Sequence, residues 1–138
     1  MILLCDIDHT ISNALWRDPM IGTTDWDEYH KNSVKDLPIS EMVVLVKTLH
    51  VAGWHTVGLT TRPEKWRRIT MDWLVRPDVQ FSELIMRPDD DFRASAALKV
   101  EQVLARFPDF SPSELVVLDD REDIIQGFKA VGITALHV

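Results

Sequence analysis

The sequence predicts an α/β fold in which a central, mostly parallel sheet carries helices on both faces. Two observations support this prediction. Residues 2–5 and 115–118 are short, continuous apolar runs, the pattern of strands that are buried on both faces. Runs of this kind alternate along the chain with segments whose apolar residues have helical spacing, and this alternation implies parallel pairing through right-handed crossovers.

The predicted elements rest on local signals. Apolar residues repeat at helical spacing over residues 39–49, and Gly53 offers a stopping point. Pro63 can open a further helix, in which Trp66 and Trp73 share one face, as is more typical of a core than of a ligand site. The other predicted elements are strands at residues 2–5, 55–59, 84–86, 115–118 and 133–138 and helices at 94–107 and 123–131.

The segment at residues 11–36 has no clean periodicity and carries Trp16, Trp26 and Tyr29 among mixed charges. Connections of this length are uncommon unless they have a function. We therefore expect a flap or active-site rim, with a partial helix at residues 25–32. The alternative is a surface loop whose two tryptophans cover the core.

Length, charge and cysteine content narrow the class of protein. The 138 residues fit one domain, and no repeat, low-complexity tract or linker divides residues 1–138. The net charge of −7 argues against a general polyanion binder, although it leaves room for a local basic groove. The single cysteine, Cys5, excludes an internal disulfide and suits a reducing compartment. Because no apolar run could span a bilayer and Asp6 interrupts the first run too early for a signal peptide, we expect a cytoplasmic protein.

The most informative stretch is Asp6-Ile7-Asp8, which follows the first predicted strand directly. Carboxylates two residues apart on an extended run point the same way, and ligands of open α/β sheets bind at the carboxyl ends of strands. One chemistry uses both groups. Asp6 would attack a phosphorus atom and form an aspartyl-phosphate, while Asp8 would act as general acid and then general base. A chance loop start or a bare cation site is the simpler alternative.

Phosphoryl transfer also needs groups that hold and neutralise the phosphate, and the chain supplies both kinds. Thr60 and Thr61 precede a predicted helix and can bind the non-bridging oxygens. Lys99 can balance the charges of the nucleophile and the phosphoryl group. Taken singly, Thr60 could be a helix cap and Lys99 a solvated lysine.

A second acidic pair can complete a metal site. Asp119 and Asp120 follow a strand that is predicted to be buried, where paired acids are uncommon without a cation. Either could bind Mg²⁺ together with Asp6 and the backbone carbonyl of Asp8. The order of the motifs excludes a response-regulator receiver domain, in which the acid pair comes first rather than last.

With these residues in place, the chain resembles the haloacid dehalogenase superfamily of phosphohydrolases, and most closely the 3′-phosphatase domain of phage-type polynucleotide kinase/phosphatases. Thr60-Thr61-Arg62 is similar to that family's Ser-Gly-Arg motif, and Asp119-Asp120-Arg121 is similar to its Asp-Asp-Arg motif. The segment from Met86-Arg87-Pro88 through Asp91-Phe92-Arg93 to Lys99 is similar to a third motif. The resemblance covers essentially the whole chain and also includes Asp25-Trp26-Asp27 and Asp36-Leu37-Pro38.

The resemblance implies a Rossmann-like fold with a minimal cap or none, a Mg²⁺ cofactor and direct contact of Asp120 with the metal, supported by Asp119. It also implies substrate contacts from Thr61, Arg62, Arg87 and Arg93. The chain departs from the family pattern in two places, since His9 replaces a glycine and Ala94-Ser95-Ala96 lacks an acidic residue. No G-x-x-x-x-G-K-[ST] loop occurs, so we expect no kinase activity from these residues.

Three functions remain open at this point. The first is a Mg²⁺-dependent phosphomonoesterase that acts on a polynucleotide 3′-phosphate end, which the family resemblance favours. The second is a phosphatase of free nucleotides, which the net charge of −7 favours. The third is a non-catalytic binding subunit of a phage or repair complex. The sequence leaves the oligomeric state open.

Overall fold

A computed structural model describes residues 1–23 and 25–138. Its strands are β1 (Ile2–Cys5), β2 (Ser12–Asn13), β3 (Leu37–Pro38), β4 (His55–Pro63), β5 (Glu83–Arg87), β6 (Leu115–Asp119) and β7 (Thr134–His137). Five of them form a parallel sheet in the order β5-β4-β1-β6-β7, whereas β2 and β3 pair antiparallel outside it. The predicted α/β fold with a parallel sheet is confirmed.

The α-helices are α1 (Trp26–Lys31), α2 (Ser40–Val51), α3 (Arg67–Val75), α4 (Ser95–Arg106) and α5 (Glu122–Ala130). The helix that was predicted to begin at Pro63 starts as a 3-10 helix, Glu64–Trp66, and becomes α-helical only at Arg67. Trp73 is buried in the core as predicted, whereas Trp66 belongs to the 3-10 turn rather than to the α-helix. The other predicted helices agree with the structure to within two residues at each end.

The side chains of β1 explain why helices cover both faces of the sheet. Because successive strand residues point to opposite faces, Ile2 and Leu4 join one apolar cluster with α4 and α5. Leu3 and Cys5 join a second cluster with α2 and α3 on the other face. All four side chains are almost completely buried. Cys5 is therefore a small apolar residue of the first strand, as the sequence indicated.

The order of the strands places a crevice at the carboxyl end of β1. The chain builds β4 and β5 on one side of β1 and then crosses to build β6 and β7 on the other. Such a switch point is where open α/β sheets bind ligands. Segment 11–36, with β2 and α1, supplies one wall of this crevice. No helix in residues 1–23 or 25–138 is long and apolar enough to cross a membrane.

Candidate active site

The crevice is a cavity of about 770 Å³, within the range of about 300–1,000 Å³ that is usual for ligand sites. Most of the site residues predicted from the sequence line it: Asp6, Asp8, Thr61, Arg62, Arg87, Lys99 and Asp120. Thr60 and Asp119 are buried beneath the cavity rather than in its wall, each 1% exposed. Arg93 does not line the cavity; it is exposed and binds Asp91 and Glu101.

A buried lysine joins the first and last acidic motifs. Lys99 on α4 donates from Nζ to Asp6 Oδ1 and to Asp119 Oδ2, with both distances 2.7 Å. The lysine and Asp119 are each 1% exposed, and Asp6 is 8% exposed. The second oxygen of Asp6, Oδ2, accepts only a long hydrogen bond from Thr10, 3.4 Å. Asp6 therefore has one oxygen that is firmly held and one that is nearly free.

We call Asp6, Lys99, Asp119 and Asp120 the acidic cluster, and negative charge exceeds positive charge in it. Burial raises the pKa of Asp6; Lys99 opposes this increase, while Asp119 adds to it. Burial and the neighbouring Asp119 also raise the pKa of Asp120. Burial would lower the pKa of Lys99, but its two carboxylate partners raise it, so the lysine remains charged.

This excess of negative charge fits a divalent cation. Oxygen atoms of Asp6, Asp119 and Asp120 lie within 4.8 Å of one another. Both oxygens of Asp119 already accept protein hydrogen bonds, from Lys99 Nζ and from the backbone N–H of Arg121. The carboxylate of Asp120 accepts none from any other residue that the structure describes. Carboxylate oxygens are the ligands that Mg²⁺ prefers, and Asp120 has the carboxylate that is free to bind it.

The second carboxylate of the first motif has different partners. The strand ends at Cys5 and the chain then turns, and Asp8 contacts arginines instead of Lys99. Asp8 Oδ1 accepts hydrogen bonds from Arg62 (2.7 Å) and Arg17 (2.6 Å), and Oδ2 accepts one from Arg62 (2.9 Å). Arg62 thus contacts Asp8 and also lines the cavity, and the contact with substrate that the resemblance implies stays a prediction.

A fourth residue completes what we call the arginine network: Asp8, Arg17, Asp36 and Arg62. Arg17 donates to both oxygens of Asp36, which is fully buried. Asp36 also accepts hydrogen bonds from Ser12 and from the indole of Trp16. With two carboxylates and two guanidinium groups, the network is neutral overall.

The arginines keep Asp8 ionised. Burial alone would raise the pKa of Asp8, but the charges and hydrogen bonds of Arg62 and Arg17 lower it well below its usual range. The two carboxylates of one motif therefore have pKa values shifted in opposite directions. Such a difference is the usual way in which neighbouring carboxyl groups take different catalytic roles.

The threonine motif lies in an irregular part of β4. The strand was predicted to end at Leu59, but it continues to Pro63, and its pairing with β5 shifts register between these two residues. The shift allows Thr61 to line the cavity while Thr60 is buried. The hydroxyl of Thr60 accepts the backbone N–H of Arg62, 3.2 Å, and so stabilises the turn of the chain toward the arginine network.

Comparisons with known proteins agree with this geometry. A family model of the polynucleotide kinase PNKP phosphatase domain matches residues 1–138. The chain belongs to this family. It is therefore a phosphatase of the haloacid dehalogenase (HAD) type, and the resemblance inferred from the motifs is confirmed.

Solved structures show the same fold at low sequence identity. A chain of a Pnkp1/Rnl/Hen1 complex is 23% identical with a TM-score of 0.78, and the match covers 99% of this chain and 45% of that one. A chain of the Pnkp1/Rnl/Hen1 RNA repair complex is 21% identical with a TM-score of 0.81, covering 99% and 42%. This chain thus spans less than half the length of those two relatives.

A further structural match is a protein described as a HAD-hydrolase, YfnB of Bacillus subtilis, bound to magnesium. It is 14% identical with a TM-score of 0.75, and the match covers 99% of this chain and 87% of that one. No curated protein matches the chain.

The two departures from the PNKP phosphatase-domain pattern have visible structural effects. His9 adopts φ +64°, a left-handed conformation that glycine adopts without strain, and its ring nitrogen lies 3.0 Å from Asp18. Ser95 replaces an acidic residue at the start of α4, and its hydroxyl accepts from Arg87 (3.3 Å) and Arg121 (3.4 Å). Arg87 otherwise binds backbone carbonyls, so no carboxylate among the described residues pairs with it.

Sequence reasoning missed Arg17 and gave Asp36 no role. Arg17 lies within the aperiodic segment 11–36 and Asp36 ends it, and spacing in this segment gives no information about contacts. Asp36 belonged to a stretch that resembles the family. Arg17 could have been suspected on charge alone, since Asp8 next to Asp6 requires a cation of its own.

Proposed function

We propose that this domain is a Mg²⁺-dependent phosphomonoesterase that acts through an aspartyl-phosphate on Asp6, and that its substrate is a polynucleotide 3′-phosphate end or a nucleotide. The nearly free Oδ2 of Asp6 carries the proposal. Asp6 lines the cavity, and the other oxygen of the same carboxylate, Oδ1, accepts a hydrogen bond from Lys99 Nζ. A nucleophile needs both an available lone pair and a fixed position.

In the first half of the reaction, Asp6 Oδ2 attacks phosphorus and the bond from phosphorus to the leaving oxygen breaks. The leaving oxygen takes a proton from Asp8. In the second half, water attacks the phosphorus of the aspartyl-phosphate and the bond from phosphorus to Asp6 Oδ2 breaks. The proton of the water passes to Asp8 and from it to the departing phosphate, so Asp6 and Asp8 both end ionised. Mg²⁺ held by Asp6, Asp120 and the carbonyl of Asp8 would neutralise charge on the phosphate.

The arginine network constrains where the first proton comes from. Because Arg62 and Arg17 hold the pKa of the resting Asp8 carboxyl well below its usual range, we expect the proton that Asp8 passes on to arrive with the substrate, as the monoanion of a phosphate monoester. The second pKa of such a phosphate is about 6. We therefore expect kcat/KM to fall above that pH for alkyl phosphates, by about tenfold per unit. An aryl phosphate with a nitrophenolate leaving group, which needs no proton, should show little decline.

Two observations bear on the substrate. Two structural relatives belong to assemblies that contain Rnl and Hen1, one described as an RNA repair complex, which supports a nucleic-acid end. Lys65, Arg87 and Arg121 line the cavity and can bind phosphates next to the reacting one. The net charge of −7 favours a free nucleotide, so this remains the second candidate.

The test is phosphate release with Mg²⁺, and with EDTA in its place, from matched substrates. These are a 3′-phosphorylated oligonucleotide, its 5′-phosphorylated counterpart, and mononucleotides that carry phosphate at either position. Preference for the first identifies a 3′-end phosphatase, and preference for a mononucleotide identifies a nucleotidase.

Asp6→Asn serves as the inactive variant, and we expect a loss of more than about a thousandfold. Asp109→Asn, at an exposed position away from the cavity, is the matched control. If Asp6→Asn keeps its activity, or if wild type releases no phosphate from any substrate, the proposed function is wrong.

A further inference from the structure

Two exposed aromatic side chains line the cavity, and the phosphate chemistry does not use them. Trp26 on α1 is 59% exposed, and Phe92 in the connection between β5 and α4 is 89% exposed. They come from segments that are far apart in sequence and lie in walls of the same cavity. Large aromatic rings in water lose the stabilisation that burial would provide.

The ring of Trp26 is held in a fixed orientation. It meets Tyr29 edge to face, with ring centres 5.4 Å apart and an interplanar angle of 84°, and it stacks on His30 at 6.0 Å and 28°. Tyr29 in turn lies under the guanidinium of Arg17, at 4.4 Å. The exposed indole is thus connected through packed side chains to the arginine network that holds Asp8.

An ion pair fixes α1 from the other side. Asp27, the neighbour of Trp26, binds Lys65 of the 3-10 helix that follows β4, at 2.5 Å. The helix that carries Trp26 is therefore tied to two parts of the cavity wall. A surface held in this way loses little conformational entropy when a ligand stacks on it.

The rings that contact Trp26 are uncharged, although the ion pair of Asp27 and Lys65 lies beside them. Burial lowers the pKa of His30 to about 4, so its ring is neutral at physiological pH. His30 and Tyr29 also line the cavity, together with Ile21. Aromatic and apolar side chains therefore lie in the same cavity as the charged residues that would bind phosphate.

We propose that Trp26 and Phe92 stack on the nucleobase of the nucleotide whose phosphate reaches Asp6. This inference rests on the proposed function and adds a base-binding subsite to it. Every nucleobase has a π face, so stacking accepts any base and requires no hydrogen-bond pattern. A simple sugar phosphate has no such face, so the subsite selects nucleotides over sugar phosphates. The base can belong to a free nucleotide or to the end of a polynucleotide.

The test compares two substrates that differ only in the base. One is an oligonucleotide with a normal 3′-terminal nucleotide and a 3′-phosphate. The other has the same length and phosphate but a tetrahydrofuran abasic residue at its end. We expect wild type to prefer the first by about tenfold in kcat/KM, mainly through KM, since stacking is worth about 1–3 kcal/mol per base. A 3′-mononucleotide, compared with deoxyribose 3-phosphate, tests the same preference without a polynucleotide.

Variants test whether the rings of Trp26 and Phe92 cause the preference for the substrate with a base. Trp26→Ala and Phe92→Ala should each remove a large part of the preference for the base, and Trp26→Phe should restore it. Phe110→Ala removes another exposed aromatic ring, 43% exposed and outside the cavity, and should leave the preference unchanged. Circular dichroism and thermal melting of each variant confirm that it is folded.

The outcomes separate this inference from the proposed function. If wild type hydrolyses both oligonucleotides equally well, or if Trp26→Ala and Phe92→Ala lose activity equally on both, the base subsite is wrong and the phosphatase activity stands. If wild type hydrolyses none of the four substrates, the proposed function fails, and the subsite fails with it.

Discussion

The acidic cluster and the arginine network are both buried beside the same cavity, but only the network balances its charges. In the described structure, Lys99 is the single side-chain cation that binds the acidic cluster, and it contacts two of the three carboxylates, those of Asp6 and Asp119. Two arginines match two carboxylates in the network. Burial and the imbalance of charge raise the pKa of Asp6, whereas the balancing arginines keep Asp8 ionised. From this difference we expect an incoming cation to complete the charge balance of the cluster, while the network is balanced already.

Replacing Lys99, the cation of the acidic cluster, should have the largest effect on stability and activity. In Lys99→Met, two buried carboxylates lose their partner, which costs about 3–5 kcal/mol in the free energy of unfolding. We expect activity to fall by more than about a thousandfold, because the nucleophile loses its position and charge balance. Denaturant unfolding and steady-state assays measure the two effects.

The control for this variant is Arg106→Met on the same helix, which breaks an exposed pair with Glu83 and should cost no more than about 1 kcal/mol. Mg²⁺ should stabilise wild type by about 2.7 kcal/mol at 100 times its dissociation constant. Equal stability of Lys99→Met and Arg106→Met would contradict the role assigned to Lys99.

Opening the arginine network should destabilise the fold somewhat less. Arg17→Met leaves Asp36 with Ser12 and Trp16 as partners and leaves Asp8 with Arg62. We expect a loss of about 3 kcal/mol in unfolding free energy relative to wild type, of the same size with and without Mg²⁺, because the ion binds the other cluster and stabilises both proteins equally. Arg68→Met is the matched control, since that side chain is almost fully exposed and lies 3.9 Å from its partner. Rescue of Arg17→Met by Mg²⁺ would mean that the two groups of charges are not separate.

The pH dependence of stability should have opposite signs for the two carboxylates. Both groups have a pKa of about 3.9 in the unfolded chain. The folded pKa of Asp6 is raised, so the contribution of Asp6 to stability is full below about pH 4. This contribution is lost as the pH rises from about 4 through the folded pKa. The folded pKa of Asp8 is lowered, so its contribution is present above about pH 4 and is lost in acid.

Unfolding in EDTA measures this difference. The stability of wild type relative to Asp6→Asn should fall by up to about 1.4 kcal/mol per pH unit above pH 4, and Mg²⁺ should reverse the loss. Relative to Asp8→Asn it should fall only below about pH 4. Slopes of the same sign for both variants would show that the cluster and the network are not differently balanced.

The smallest effect on stability is expected from a change at His9. His9 follows Asp8 in a left-handed conformation that costs a non-glycine residue about 1–2 kcal/mol. His9→Gly relieves this strain but loses the contact with Asp18 and adds unfolded-state entropy. We therefore expect thermal denaturation to show a change within about 1 kcal/mol, and a loss above about 2 kcal/mol would show that the imidazole holds the loop.

The acidic cluster and the arginine network also differ in how far the sequence could predict them. Asp6 and Asp119 come at the ends of continuous apolar strands, and parallel pairing brings such ends together. Lys99 could be placed because the chemistry required a cation and the helix at residues 94–107 was clear from propensity. These local signals were enough for the parallel sheet and for the acidic cluster.

The arginine network could not be predicted in this way. Arg17 and Asp36 lie in a segment without periodicity, so no local pattern relates either residue to the sheet. The contact of Arg62 with Asp8 depends on the register shift in β4, which propensity does not indicate. Charge pairs between residues that are far apart in sequence thus hold segment 11–36, and only the three-dimensional structure shows them.

Cys5, which ends β1 next to Asp6, gives the chain a built-in reporter of unfolding. It is the only cysteine and is fully buried, and burial together with the neighbouring Asp6 raises the pKa of its thiol far above neutral pH. Alkylating and disulfide-exchange reagents attack the thiolate, so in the native protein this sulfur should be inert. Because Cys5 lies in the central strand of the sheet, reagents can reach it only through extensive opening of the fold. Its labelling rate therefore reads out the opening of the domain core, with no tag and no added probe.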